Sequence, residues 1–383
     1  MSSNNRIFYA CQAVAITNHG DTSVSAGEMV HGLQSVGITT NFNLEQAFEL
    51  GQIEIYENIE GTPDVEVTLE KVLDGYPLIY HMASTGVAGT SASGLAARSE
   101  ARADVRLGIF PDVNNNLDNA GAGGDSEAEV YCSGMYISSV SYTIPVDGSA
   151  TESVTLVGNN KLWLQGSAGE IVAAAVNAFD GADEPKAMGV TGAPSGGISQ
   201  REDVMLSGCI LPGSIKGVNG TGYGNALNVS NGVPRIHIQN VSISTDFSRE
   251  DILELGRKTP YHRPATFPIE VSCEIEAITT SGDFVNAYEF GDSSLYTTTA
   301  SGNNTSNEDI YIFLRAGYGF DLGPSNRLAS VSYGGGDAGG GNATCTYSYT
   351  NFNDLDVQWK DDYLQFGQLK GSQPYGTVPT NLY

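Results

Sequence analysis

The chain is short of positive charge. Its 383 residues hold 18 Lys and Arg against 44 Asp and Glu, a formal net charge of -26. Such a surface repels nucleic-acid phosphates. No basic cluster interrupts it, since Arg257-Lys258 runs straight into Thr259-Pro260. The five cysteines, Cys11, Cys132, Cys209, Cys273 and Cys345, are odd in number and form no CxxC. That argues against a disulfide framework and a zinc site, and they read as small buried apolar residues. No stretch approaches the ~18 apolar residues of a membrane span. Residues 1–16 have neither the basic n-region nor the apolar h-region of a signal peptide. The expectation is a protein made and kept soluble in a cytoplasm, with no membrane partner.

Catalytic signatures are missing too. His19, His31, His81, His237 and His262 form no HExxH and no i,i+4 pair, and read as surface or strand residues. There is no GxSxG. The stretches Gly217–Gly224 and Gly334–Gly341 lack the GK[ST] that holds phosphate in a P-loop. Asp112, Asn114, Asn116 and Asp118 imitate a calcium loop, but Leu117 stands where Gly is required and Gly123 where Glu is required. The chain is expected to be no enzyme and to carry no cofactor and no metal.

What the sequence does have is Gly (47 residues), strand-formers and a repeat. Val36–Gly51 (VGITTNFNLEQAFELG) and Val241–Gly256 (VSISTDFSREDILELG) agree at eight of sixteen positions. Val65–Glu70 matches Ile269–Glu274, Asp104–Ile109 matches Asp309–Leu314, and Ser139–Tyr142 matches Ser330–Tyr333. Each copy of the first segment reads as strand, turn and short helix. Asn43 or Ser248 would cap the helix, Gln46 or Asp251 would support the cap, and Gly51 or Gly256 would end it. In VEVTLE and IEVSCE, period two gives one buried face and one wet, acidic face. The reading divides the chain into a first domain (1–165), a linker that is Ala-rich then Gly/Pro-rich (166–200), a second domain (201–358) and a C-terminal arm (359–383).

The segment VGITTNFNLEQAFELGQIEIYENIEGTPDVEVTLEKVLDGYPLIYH resembles the core of tail tube proteins of long-tailed bacteriophages. The resemblance covers about residues 33–81, and the second copy through its match to the first. It implies a mainly β fold: tandem duplicated tail-tube-like β-sandwich or barrel domains, each with a short flanking α-helix. It further implies homotrimeric, pseudo-hexameric rings that stack into a virion tail tube assembled in the host cytoplasm. Partners would be the chain itself and other tail proteins (tape measure, terminator, distal tail or baseplate), with genomic DNA passing through unbound during ejection. Glu66, Glu70, Glu270, Glu274 and Glu276 are the candidate lumen-facing acids. Alternation defines two faces without saying which is the channel, so a solvated outer face stays open for them. Leu73–Glu100, Asp112–Asp125 and the C-terminal arm are the candidates for axial contacts between rings. A trimeric tail hub or distal tail adaptor is the alternative reading, and a two-domain carbohydrate-binding or adhesin protein is the alternative from another class.

Overall fold

The computed structural model describes residues 7, 9, 12–21, 28–51, 53–85, 95–98, 100–110, 128–165, 197–204, 209–212, 215, 237–278, 283, 285, 307–336 and 341–359. The strands are β1 (Gln12–Asn18), β2 (Leu33–Asn41), β3 (Leu44–Phe48), β4 (Ile55–Glu60), β5 (Asp64–Val72), β6 (Ala103–Ile109), β7 (Ala128–Pro145), β8 (Thr151–Gly158), β9 (Asn160–Gln165), β10 (His237–Asp246), β11 (Glu270–Ile278), β12 (Tyr311–Leu314), β13 (Tyr318–Asp321), β14 (Arg327–Gly334), β15 (Thr344–Phe352) and β16 (Asp356–Trp359). Helix α1 spans Ile79–Thr85, and α2 is the single turn Leu95–Arg98.

Alternation sets the main sheet. In β5, Val65, Val67 and Leu69 are buried while Glu66 and Glu70 are exposed, and in β11 Val271, Cys273 and Ile275 are buried. Eight strands run in the order β14-β15-β11-β10-β7-β8-β5-β2. β7 is long enough to serve two layers: its second half pairs β10 and β8, its first half pairs β6 and β9, and β6 also pairs β1. β12-β13-β16 form a small separate sheet and β3-β4 a hairpin. The sheets are open, not the closed barrel the resemblance implied. Closure needs every edge strand paired, and among the described residues β2 and β14 end the path.

A second layer covers one face of the main sheet. It comprises α1, the β1-β6 part and β12-β13-β16, and one apolar core cluster joins residues of all of them. Helix α1 has no acid in its own first turn. Its N-terminal amides are satisfied from β8, where Glu152 accepts from Ile79 N (2.8 Å), Tyr80 N (3.1 Å) and the Tyr142 hydroxyl (3.2 Å). Burial raises the Glu152 pKa, against the pull of Lys71 and these donors. The small sheet locks onto the first half of the chain. Trp359 Nε1 donates to Gly75 O (2.9 Å), the Tyr318 hydroxyl to Tyr76 O (2.7 Å), and His81 Nε2 lies 2.8 Å from Val357 O.

Several expectations are corrected. The helices expected at residues 43–51 and 248–256 do not form. Asn43 (φ 48) and Ser248 (φ 44) take the left-handed conformation. Their amides bond the side chains of Asn41 and Asp246, 3.1 and 2.8 Å. These are Asx turns, which use the same residue types as a helix cap. The chain then turns into hairpin β3-β4 in the first copy, and into the bridges Arg249↔Ala265 and Ile252↔His262 in the second. The flanking helix is α1 instead, inside the Leu73–Glu100 stretch expected to be an axial loop; Leu73, Leu78, Ile79 and Tyr80 are core residues there. His81 is buried in α1 and is not a surface or strand residue. Cys132, Cys209, Cys273 and Cys345 are free and buried. Cys11, Asp112–Asp125, the linker up to residue 196 and the arm from 360 onward lie outside the described residues.

Candidate assembly interface

The feature that organises the sheet is the joint between β10 and β7. Its register runs Val241↔Ile144, Ile243↔Tyr142 and Thr245↔Val140 on the core side, and Ser242↔Thr143 and Ser244↔Ser141 on the other. On one side of the joint the order is β7-β8-β5-β2, on the other β14-β15-β11-β10. Under the residue matches found in the sequence, β7 corresponds to β14, β5 to β11 and β2 to β10, and in each run one further strand, β8 or β15, stands between the first two of these, so the matched strands keep the same order. The irregularities correspond as well. β2-β5 skips a residue between Leu33 and Ser35, and β10-β11 between Ile238 and Asn240. β7-β8 skips one between Ile137 and Ser139, and β14-β15 between Leu328 and Ser330.

The joint is reinforced beyond its ladder. Phe247 N donates to Ser138 O (2.8 Å), and Phe247 is fully buried. Arg249 Nε donates to Ile137 O (2.9 Å), its guanidinium 5.0 Å from the Tyr136 ring centroid. Burial lowers the Arg249 pKa to about 10, against the pull of Glu100 and Tyr136. Arg263 grips Asp251 and reaches Asp64 Oδ1 at 2.7 Å. Burial works against its charge, but these two carboxylates prevail and raise its pKa. His262 sits 3.2 Å from the Tyr136 hydroxyl and 2.8 Å from Glu100 Oε2.

The uncovered face of the sheet is built from small hydroxyl side chains and acids. Across successive strands it presents Ser332, Ser348, Glu274, Ser242, Thr143, Thr151 and their neighbours. All five sequence-predicted acids stand on this face. Glu66 lies opposite Thr39 and Val157, Glu70 opposite Ser35 and Ser153, and Glu270 opposite Phe352. Glu274 lies opposite Ser242 and Ser348, and Glu276 opposite Asn240 and Thr346. None of them faces a Lys or Arg across the ladder. Sequence reading missed Phe247, Arg249 and Arg263, whose partners Ser138, Ile137 and Asp64 are more than a hundred residues away. The one available signal was the repeat itself, which pairs Phe42 with Phe247. Among the described residues no group of His, Cys, Asp or Glu is arranged to hold a metal ion, and no helix is long and apolar enough to cross a membrane.

No family model matches the chain, and no curated protein matches it significantly. Among solved structures it is similar to the tube-terminating cap of the anti-feeding prophage, at 13% identity over 43% of this chain and 95% of that one, TM-score 0.29. It is also similar to a chain of the PVC sheath-tube complex, an extracellular contractile injection system in its extended state, at 11% identity over 42% and 93%, TM-score 0.29. The Hcp protein follows at 10% identity over 40% and 98%, TM-score 0.21. Scores of this size do not establish a shared fold.

Proposed function

We propose that the chain is a structural subunit of a tube, a duplicated protein whose copies join edge to edge into rings. The observation that carries this is the β10-β7 joint. Its two strands correspond to the two free edges, β2 and β14, so a second chain can repeat the joint through β14 of one chain and β2 of the next. Transferring the internal register gives Thr40 opposite Val331, Thr39 opposite Ser332 and Ile38 opposite Tyr333. Such a contact is heterologous and closes only as a ring. Closure pairs both edges, which otherwise expose unmatched backbone groups.

Ring size follows the resemblance to two-domain tail tube proteins, three chains with pseudo-sixfold symmetry. Three eight-strand paths make a barrel of 24 strands, well beyond the size at which side chains fill the interior. The two acid-bearing strands, β5 and β11, stand four strands apart in the path. They would again stand four apart across the new joint, so acidic strands recur evenly, about 19 Å apart at ~4.8 Å per strand. With the second layer inside, the channel would be blocked; the open face therefore lines it. Glu66, Glu70, Glu270, Glu274 and Glu276 would then face the lumen and repel passing DNA. On this reading the protein is a virion tail component with no catalytic role, assembling with itself and with other tail proteins.

Thr39→Cys with Ser332→Cys tests the edge. By the alternation in the internal joint this is a non-hydrogen-bonded pair, with Cα atoms about 4.5 Å apart, inside disulfide range. Oxidation should yield a covalent ladder ending at three chains, and negative-stain images should show rings with a central hole. Cross-linking no greater than in a Thr39→Cys, Val331→Cys control, together with single chains in the images, would rule the reading out.

A further inference from the structure

We infer that Phe42 and hairpin β3-β4 are a docking arm for a second copy of this chain, seated on that copy's residues Arg327–Ser330. The inference rests on the edge-to-edge assembly proposed above and adds the residues that select which edge meets which. Its template lies inside the chain. After β10, the Asx turn at Asp246 and Ser248 throws the segment out of the sheet. Phe247 then plugs the core, and Arg249, His262 and Arg263 clamp the β7 side at Tyr136, Ile137, Glu100 and Asp64. After β2, an Asx turn of the same kind at Asn41 and Asn43 throws out β3-β4, and Gly51 (φ 95) repeats Gly256 (φ 88).

Among the described residues, the sheet beneath this second arm ends at β2. Phe42, equivalent to the fully buried Phe247, is 62% exposed, and Leu44 and Phe48 are 64% and 71% exposed. Isolated apolar side chains on a surface are ordinary, but Phe42, Leu44, Phe48, Leu50 and Ile55 are exposed within one segment and together mark a contact, although the hairpin also sets Glu60 opposite Leu44 and Glu57 opposite Ala47. What it would contact follows from the template. Ser138, Ile137 and Tyr136 receive the internal arm, and their counterparts next to the free edge are Ala329, Leu328 and Arg327. Phe42 N would donate to the neighbour's Ala329 carbonyl as Phe247 N does to Ser138. Leu44 would lie on Leu328 and the aliphatic stem of Arg327.

The exchange of residue types gives the two joints different chemistry. The arm inside the chain carries Arg249 and Arg263 to a receiver holding Asp64 and Glu100. The outgoing arm has Leu44 where the other has Arg249, and meets a receiver without those acids. An apolar arm on the wrong receiver would leave Asp64 and Glu100 without their cationic partners, and Arg263 placed on Leu328 and Ala329 would keep Asp251 but lose Asp64. Each arm therefore fits one receiver, and a ring alternates an ionic joint within each chain with an apolar joint between chains.

Full-length Phe42→Asp and Phe42→Leu test this, with hydrogen exchange on residues 42–60. Because Phe42 is exposed in the single chain, Phe42→Asp should leave its melting temperature unchanged. It should raise the concentration needed for ring formation at least about tenfold, and Phe42→Leu should restore assembly. In wild-type rings the 42–60 amides should exchange at least about tenfold more slowly than in single chains. If wild-type rings form, Phe42→Asp assembles equally well and 42–60 exchange is unchanged, the docking arm is overturned while the edge pairing stands. If wild type never assembles and the Thr39→Cys, Ser332→Cys pair does not cross-link, the edge pairing itself falls, and the arm with it.

Discussion

Two places in the sheet carry corresponding strands and opposite exposure. In the internal joint Tyr142 is 1% exposed, while its counterpart Tyr333 on the free edge is 53% exposed. Val241 and Ile243 are buried, and their counterparts Val36 and Ile38 only half so. Local sequence does not account for this, because the residues are the same or alike. Among the described residues the difference is the presence of a neighbour strand, and the joint is therefore a picture of what the edges lack.

The largest test of this contrast is a matched pair. Tyr142→Ala should cost about 3–5 kcal/mol, because it opens a cavity and removes the hydroxyl that donates to Glu152. Tyr333→Ala should change single-chain stability by no more than about 0.5 kcal/mol yet weaken ring formation. Thermal melts and sedimentation read the two effects separately. Equal melting losses would mean that the edge already behaves as core.

The locking of the small sheet onto α1 should be pH-sensitive, and the edges should not. Burial, helped by the positive charge of Arg98, lowers the His81 pKa from 6.5 to about 4. A group whose folded pKa is depressed stabilises the fold above its unfolded value and loses that contribution as pH falls through the folded one. His81 thus withdraws about 3 kcal/mol between pH 6.5 and pH 4. Asp356, which burial raises to about 6, works in the opposite direction, so the measurement is a difference. His81→Gln should lose less stability than wild type on acidification, read by urea titrations at pH 7 and pH 4.5. Parallel loss in both proteins would refute the assignment.

The period-two pattern was legible wherever one strand face meets the core, which is why the faces of β5 and β11 came out correctly. The turn after β2 and β10 was misread because Asx turns and helix caps draw on the same residues, Asn, Asp and Ser. Leu44 and Phe48 could not decide the matter: a two-turn helix needs a surface to pack on, and among the described residues both side chains are exposed. The β10-β7 joint joins residues about a hundred positions apart, and nothing local announces such a pairing. Buried Lys71, His81, Arg98 and Glu152 were equally hidden, since their burial depends on the second layer. The five acids could be placed on one face because alternation alone does that, but only the covering layer distinguishes that face from the other.

Removing the arginine clamp is a smaller perturbation. Arg263→Ala deletes contacts to Asp251 and Asp64, whose side chains are 38% and 49% exposed. With solvent screening the cost should be about 1–2 kcal/mol, and it should shrink in high salt. Assembly through the apolar arm should be far less salt-sensitive. A single common salt response for folding and for ring formation would erase the chemical distinction between the two joints.

The smallest effect concerns the open face. Glu66→Gln with Glu270→Gln removes charge from exposed strand positions whose ladder neighbours are Thr39, Val157 and Phe352. No buried partner is orphaned, so stability should move by no more than about 0.5 kcal/mol, and single-chain melts should coincide with wild type. Rings should form as before, because neither residue lies in β2 or β14. Only the field over the face should change. Replacing the same two residues with Lys should make assembled rings retain double-stranded DNA at low salt, while wild-type rings exclude it. If the Lys rings exclude DNA as wild type does, the acids do not line the channel, and the open face points outward.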